Sequence, residues 1–230
     1  MQGVFSVDTF AAKNGLYITS RIKVKRIFAL ALEGKTLHIS CPQTQLPPGF
    51  ISIPAILENK LMWVEEAEKA DVIISCQMPP EEYPGLLLVP RSSLWIGIGC
   101  KKGMSGEAIE SALTEFVTTF GLHDRAVAGL ASIDIKKDEP GILEACEYYR
   151  LPFRTYSAAQ LMSMEGKFSS SSFVHMHTGT DNVCERAALM AAAEDAKKAG
   201  GGAFALSVIQ KQTYTGITLA AAFINKRLRL

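Results

Sequence analysis

The sequence predicts an α/β protein, and three observations carry that prediction. From Leu94 onward, apolar strand-like runs alternate with amphipathic helical segments. Glycine-rich stretches separate the two kinds of segment. The chain then closes on two strand-like runs joined by a short turn, the pattern of an edge hairpin. Two small α/β domains are expected: residues 1–90, read as incomplete at their start, and residues 91–230, a mixed sheet with flanking helices and a C-terminal hairpin.

In the first domain a helix is expected from Val7 to Lys13, stopped at Asn14-Gly15 by a left-handed cap. A second begins with Ser20 as N-cap, carries Ile22, Ile27, Leu30 and Ala31 at helical spacing, and ends at Gly34. Thr36 to Ser40 reads as a strand, Pro42 to Pro48 as a loop, Leu61 to Lys69 as a short helix and Asp71 to Ser75 as a strand. Pro79, Pro80, Pro84 and Pro90 punctuate the following stretch, which reads as a linker with the domain boundary near Pro90.

The second domain opens with the strand Leu94 to Ile98 and a helix from Ser105 to Phe120, whose apolar face is Ile109, Leu113, Phe116, Val117 and Phe120 and which Gly121 stops. A strand from Ala128 to Ile135 leads to a helix that starts at Pro140, where a missing N–H is harmless, and runs to about Tyr149. Pro152 to Tyr156 is a short strand, and Ser157 caps another helix. The serine run Ser169 to Ser172 reads as a surface loop. An alanine-rich helix from Asn182 to about Ala199 ends at Gly200-Gly201-Gly202, and Ala203 to Gln210 with Gly216 to Phe223 forms the hairpin.

With 48% hydrophobic residues the chain can bury a substantial core, and a formal charge of +1 gives no general attraction to nucleic acid or membrane surfaces. The five cysteines, Cys41, Cys76, Cys100, Cys146 and Cys184, are scattered without a CxxC pair, which fits a reducing cytoplasm. No apolar run reaches the roughly 20 residues of a membrane-spanning helix.

Three segments carry chemistry. The first is Ile96-Gly97-Ile98-Gly99-Cys100-Lys101-Lys102-Gly103, a strand entering a glycine turn ahead of a helix. Glycines let backbone approach a ligand, and helix-start N–H groups attract anions. A dinucleotide fingerprint does not fit, because the last glycine spacing is one residue too long and no acidic residue follows at the required distance. An anionic ligand and a purely structural turn both remain open. Cys100, beside Lys101 and Lys102 near a helix start, is placed for a lowered thiol pKa and nucleophilic use, against the plainer alternative of a small packed residue.

The second segment is Ile133-Asp134-Ile135-Lys136-Lys137-Asp138-Glu139-Pro140-Gly141. Its carboxylates either complement the dipole of the following helix or supply a general base at the carboxyl end of a strand. The third is Thr178-Gly179-Thr180-Asp181-Asn182-Val183-Cys184-Glu185-Arg186-Ala187-Ala188, where Glu185 divides in the same way between capping and catalysis. His175-x-His177 with Cys184 can be drawn as a zinc site, but its fourth ligand is missing and alternating histidines in a serine-rich loop more often face solvent. No Gly-x-Ser-x-Gly elbow is present.

In order and spacing these three segments resemble the CbiG family of cobalamin biosynthesis, the cobalt-precorrin-5A hydrolases, and its shorter relative CobE. Arg26-Ile27-Phe28-Ala29-Leu30-Ala31-Leu32-Glu33-Gly34-Lys35 resembles the family's middle region. Full-length members carry a further N-terminal domain with a glycine-rich Ser-Gly-His motif that has no counterpart in this sequence. The chain is therefore read as a natural short form, a split-gene product or an expressed fragment.

The resemblance implies hydrolysis of the ring A δ-lactone of cobalt-precorrin-5A with release of acetaldehyde, giving cobalt-precorrin-5B. The alternative is a non-catalytic corrinoid-binding or carrier module of the same pathway. Under this resemblance Glu139 and Glu185 are the candidate bases, with Cys100 a third candidate for catalysis, and Gly97, Gly99, Lys101, Gly103, Lys136, Gly179 and Thr180 are the candidate substrate contacts. No cofactor is expected, since cobalt arrives with the substrate. The expected partners are the cobalt corrinoid, other corrin-pathway enzymes or a separate N-terminal part, and a second copy in a homo-oligomer; nucleic acid and membranes are not expected.

Overall fold

The computed structural model of the chain describes residues 5–42, 60–165, 168, 182–226 and 228. They form two compact units, one comprising the chain up to Arg91 together with Gly121–Ala126, the other Ser92–Phe120 with Val127–Lys226. The loop expected after Pro42 lies outside the described residues from position 43, as does the serine run.

The first unit opens with α1 (Val7–Asn14), whose N-cap Ser6 accepts a hydrogen bond from the Thr9 amide and whose stop is Gly15 at φ 63°. Strand β1 (Leu16–Ile18) follows, then α2 (Arg21–Leu32) behind the N-cap Ser20. β2 (Leu37–Ser40), β3 (Leu61–Trp63), β4 (Val72–Ile74) and β5 (Leu86–Pro90) complete a sheet ordered β1-β5-β4-β2-β3. All of its pairs are parallel except β1 with β5.

Three expectations for this unit are corrected. The helix expected over Leu61–Lys69 is a strand followed by a 3₁₀ turn at Ala67–Lys69: Leu61, Met62 and Trp63 pair with Leu37, His38 and Ile39, and a short apolar run takes whichever form its neighbours complete. The last part of the linker expected around Pro79–Pro90 is a core strand, while Pro80–Glu82 and Pro84 are exposed. Leu86, Leu88 and Val89 are wholly buried in β5, and Pro90 ends the strand, where its missing N–H breaks no inner ladder. On α2, Ile22 is 81% exposed, and the core-facing set is Val24, Ile27, Leu30 and Ala31.

The second unit is built on a five-stranded mixed sheet ordered β8-β7-β6-β10-β9. Its elements are β6 (Leu94–Cys100), α3 (Gly106–Thr119), β7 (Val127–Ile133), α4 (Pro140–Tyr149), β8 (Phe153–Tyr156), α5 (Ala158–Met162), α6 (Val183–Ala199), β9 (Phe204–Tyr214) and β10 (Ile217–Asn225). β6, β7 and β8 run parallel, and the C-terminal hairpin inserts β10 antiparallel to β6, leaving β9 at the edge. The alanine-rich α6 packs against β6, β7, β9 and β10. Its Ala187, Ala188, Ala191 and Ala192 form one buried cluster with Trp95, Ala131, Ile133 and Ala222. Side chains this small let a helix lie close over the sheet. Leu94, Ile96 and Ile98, alternate residues of β6, turn to the opposite side and are also fully buried.

Candidate functional site

The carboxyl ends of β6, β7 and β9 and the amino end of α6 converge on one cavity of about 650 Å³. Gly99 to Lys102 come from the end of β6 and the turn after it, Ile133 from the end of β7, Lys136 from the 3₁₀ turn that follows, Asn182 to Cys184 from the start of α6, and Lys211 and Tyr214 from β9. Ligands of open α/β sheets bind at this edge because strand ends and helix starts present unpaired backbone groups there. The wall is mixed: four lysines, Lys101, Lys102, Lys136 and Lys211, share it with Ile135, Val183, Tyr214 and Ile217. Such a lining suits a large, partly apolar ligand that bears carboxylates.

The glycine turn is held by a carboxylate. Glu139, buried at the start of α4, accepts a hydrogen bond from the Gly103 amide at 2.6 Å through Oε1 and from Lys136 Nζ at 2.7 Å through Oε2. Gly103, at φ 76°, turns the backbone toward it in a conformation that other residues adopt only with strain. Burial by itself would raise the Glu139 pKa. The hydrogen bonds from Lys136 and Gly103, with the charges of Lys136 and Lys102, outweigh it and hold the carboxyl below its ordinary value. A carboxylate with both oxygens engaged and its proton affinity reduced is a weak base.

Glu185 does a similar job on the other side. Its amide donates to the N-cap Asn182 Oδ1 at 2.9 Å, and its Oε1 accepts the Lys211 amide at 2.7 Å, tying the first turn of α6 to β9. It is 4% exposed. Capping and bracing are thus both visible at Glu185.

Cys100 lines the cavity beside Lys136. The lowered pKa read from its flanking lysines is corrected: burial raises the thiol pKa, and Lys136 offsets this only in part while Glu139 adds to it. Cys184, also in the wall, is pushed to about 11, chiefly by burial. Both thiols are protonated near neutrality.

Close ligand approach was the expected role of the glycines, and the structure gives Gly97 another. A Cβ on Gly97 would stand 2.7 Å from the Cys184 carbonyl carbon and closer still to its oxygen, so Gly97 is where α6 comes down onto β6. Gly99 does border the cavity, with Thr218 as its nearest neighbour. Gly141 serves in the same way as Gly97, packing α4 against the Met104–Ser105 backbone.

The fold brings Gly99, Cys100, Lys101 and Lys136 to the cavity and sets Glu139 and Glu185 directly behind its wall. Gly179, Thr180 and the His175-x-His177 pair lie outside the described residues. Sequence reasoning missed Lys211 and Tyr214, because nothing in a strand's own pattern tells which face and which strand end will meet a turn more than a hundred residues away. Among the described residues no group of three or more His, Cys, Asp or Glu side chains is arranged to hold a metal ion, and no helix is long and apolar enough to cross a membrane.

Comparison with known proteins agrees with this layout. Residues 94–222, which include all of the described cavity wall, match the family described as Cobalamin synthesis G C-terminus. A cobalt-precorrin-5A hydrolase of Priestia megaterium is 32% identical over 140 residues, 61% of this chain and 34% of that protein. Protein CobE of a Sinorhizobium species is 27% identical over 146 residues, 63% of this chain and 89% of that protein. The crystal structure of CobE, a protein from the cobalamin (vitamin B12) biosynthetic pathway, superposes with a TM-score of 0.50 at 30% identity, covering 56% of this chain and 92% of that one. The chain spans about a third of the length of the curated hydrolases it matches.

Proposed function

The chain belongs to the cobalamin synthesis G C-terminal family, and from that premise we propose that its cavity receives cobalt-precorrin-5A and serves the opening of the ring A δ-lactone. The observation that carries this reading is the four-lysine cavity of about 650 Å³ at the carboxyl edge of the second sheet. A corrinoid intermediate is a flat apolar macrocycle fringed with carboxylates, and the cavity offers ammonium groups for the fringe and Ile135, Val183, Tyr214 and Ile217 for the ring. The cobalt travels with the substrate.

In this reading water adds to the lactone carbonyl and the acyl–oxygen bond breaks, leaving ring A a free carboxylate. The carbon that carried the ester oxygen then leaves as acetaldehyde when its bond to the macrocycle breaks, the electron pair staying on the macrocycle. The Lys136 ammonium, facing the cavity, pairs with a carboxylate of the fringe and so holds the macrocycle in place. Water activation is assigned to Glu185, the other candidate base, because the carboxyl of Glu139 is held below its ordinary pKa by Lys136 and the Gly103 amide.

A second reading, a corrinoid carrier without chemistry, is favoured by one observation: both carboxylates receive backbone N–H bonds and stand behind the wall rather than in it. One experiment separates the two. The purified chain is incubated with cobalt-precorrin-5A, acetaldehyde is trapped enzymatically, and the corrinoid is weighed by mass spectrometry. Lactone opening requires acetaldehyde together with a mass change equal to water gained and acetaldehyde lost. Binding seen as a shift in the corrinoid absorption spectrum, with neither product, selects the carrier; absence of binding overturns both.

A further inference from the structure

We propose that Glu139 is a positioning residue, which aims the Lys136 ammonium into the cavity and fixes the Lys101–Gly103 turn around it. The inference rests on the corrinoid reading of that cavity for its ligand and on the geometry alone for its mechanism.

The geometry has three parts. Lys136 occupies a short 3₁₀ turn, Asp134–Lys136, where backbone constraint on its long side chain is weak. Yet its side chain is only 13% exposed, held by Glu139 Oε2 at 2.7 Å, with the Glu139 side chain itself 6% exposed. The other carboxylate oxygen takes the Gly103 amide, three residues beyond Cys100 at the end of β6. One buried carboxylate thus links the β6 turn, the turn after β7 and the start of α4. Pro140 places Glu139 as the residue immediately before α4, and Gly141 lets that helix lie against the Met104–Ser105 backbone, which brings the carboxylate within reach of Gly103. The charged groups around it are Lys136 and Lys102, with the Cys100 thiol beside Lys136.

A residue in this position acts through the lysine. An ammonium held in place loses little freedom when a ligand carboxylate arrives, so the device favours binding over the chemical step. Asp138, next to it in sequence, is 85% exposed on its side chain and takes no part.

The test uses the full chain with cobalt-precorrin-5A and the variants Glu139→Gln, Glu139→Asp, Lys136→Met and Lys136→Met/Glu139→Gln. If Glu139 positions Lys136, Glu139→Gln raises KM about tenfold or more, leaves kcat within about threefold and keeps the acid limb of the kcat profile. Glu139→Asp recovers part of the loss. The double variant loses clearly less than the two single losses together, because the Lys136 part of the Glu139 effect is already gone and only the Gly103 bond remains to be lost. If Glu139 is the base, kcat falls roughly 10²–10⁴-fold, the acid limb disappears and the two losses add, which overturns the inference.

A second measurement stands apart from any corrinoid. Acetic anhydride labelling followed by mass spectrometry is expected to modify Lys136 about tenfold faster in Glu139→Gln than in the parent. Equal rates overturn the inference even where the corrinoid binds; faster labelling in a chain that binds no corrinoid supports it and overturns the functional reading alone.

Discussion

Replacing Gly97 by alanine probes the packing that builds the cavity. The added methyl carbon would lie 2.7 Å from the Cys184 carbonyl carbon and 3.0 Å from the Ala188 amide nitrogen, with the Cys184 oxygen nearer still. Carbon atoms rest at about 3.5–4.0 Å, so α6 must withdraw from β6 by roughly 1 Å. No side chain can swing aside, because every obstructing atom is backbone. The helix retreats as a body, and the buried contacts of Ala187, Ala188, Ala191 and Ala192 open with it. Overpacking costs about 1–3 kcal/mol, and a backbone-on-backbone clash belongs at the top of that range. At about 2–4 °C per kcal/mol for a chain of this size, the melting temperature should fall by roughly 6–12 °C.

Gly99→Ala is the control. Its methyl meets only the Thr218 Oγ1, a side-chain atom that rotates, so the loss should stay near 1 kcal/mol or below. Urea titration followed by circular dichroism measures both, and corrinoid titration of Gly97→Ala should show weaker binding as Asn182, Val183 and Cys184 leave the cavity wall. A Gly97→Ala variant within about 0.5 kcal/mol of the parent, or a Gly99→Ala variant equally damaged, would refute this account of the glycine strand.

Three further predictions follow from the charges. Because the folded-state pKa of Glu139 lies below its ordinary value, its contribution is present above the unfolded pKa of about 4.3 and is lost as pH falls through the folded value. Urea midpoints should therefore separate parent from Glu139→Gln by about 1.5–3 kcal/mol at pH 7, the gap closing in acid; a gap that widens on acidification contradicts the assignment. Cys100 should alkylate with iodoacetamide more slowly than a free thiol at pH 8, and Lys136→Met should slow it further, since the lysine lowers the thiol pKa; acceleration would reverse the sign. Replacing Lys211 or Lys101 by methionine should weaken corrinoid binding roughly tenfold each and flatten its salt dependence, and an unchanged affinity at low salt would remove that lysine from the site.

What the sequence made legible was local. Gly15, Ser20, Pro140 and Ser157 announced helix ends by capping chemistry that acts within a few residues, and each marks the expected end of its helix. Leu61–Trp63 and Leu86–Pro90 misled because the identity of a short apolar run depends on which strand lies beside it. At the site, the lysines of the turn were visible, while the commitments of Glu139 and Glu185 were not. A carboxylate at a helix start looks the same whether it faces water, a ligand or an amide from a distant turn.

The sequence alone therefore determined the α/β alternation, the closing hairpin and the glycine turn after β6. Each of these follows from periodicity and caps that operate over one or two turns. Only the tertiary structure decided that Gly97 serves helix packing, that burial raises the Cys100 pKa against its flanking lysines, and that Lys211 shares a cavity with Lys101. Those outcomes depend on desolvation and on contacts between residues far apart in the chain, quantities that exist only once β6, β7, β9 and α6 have met.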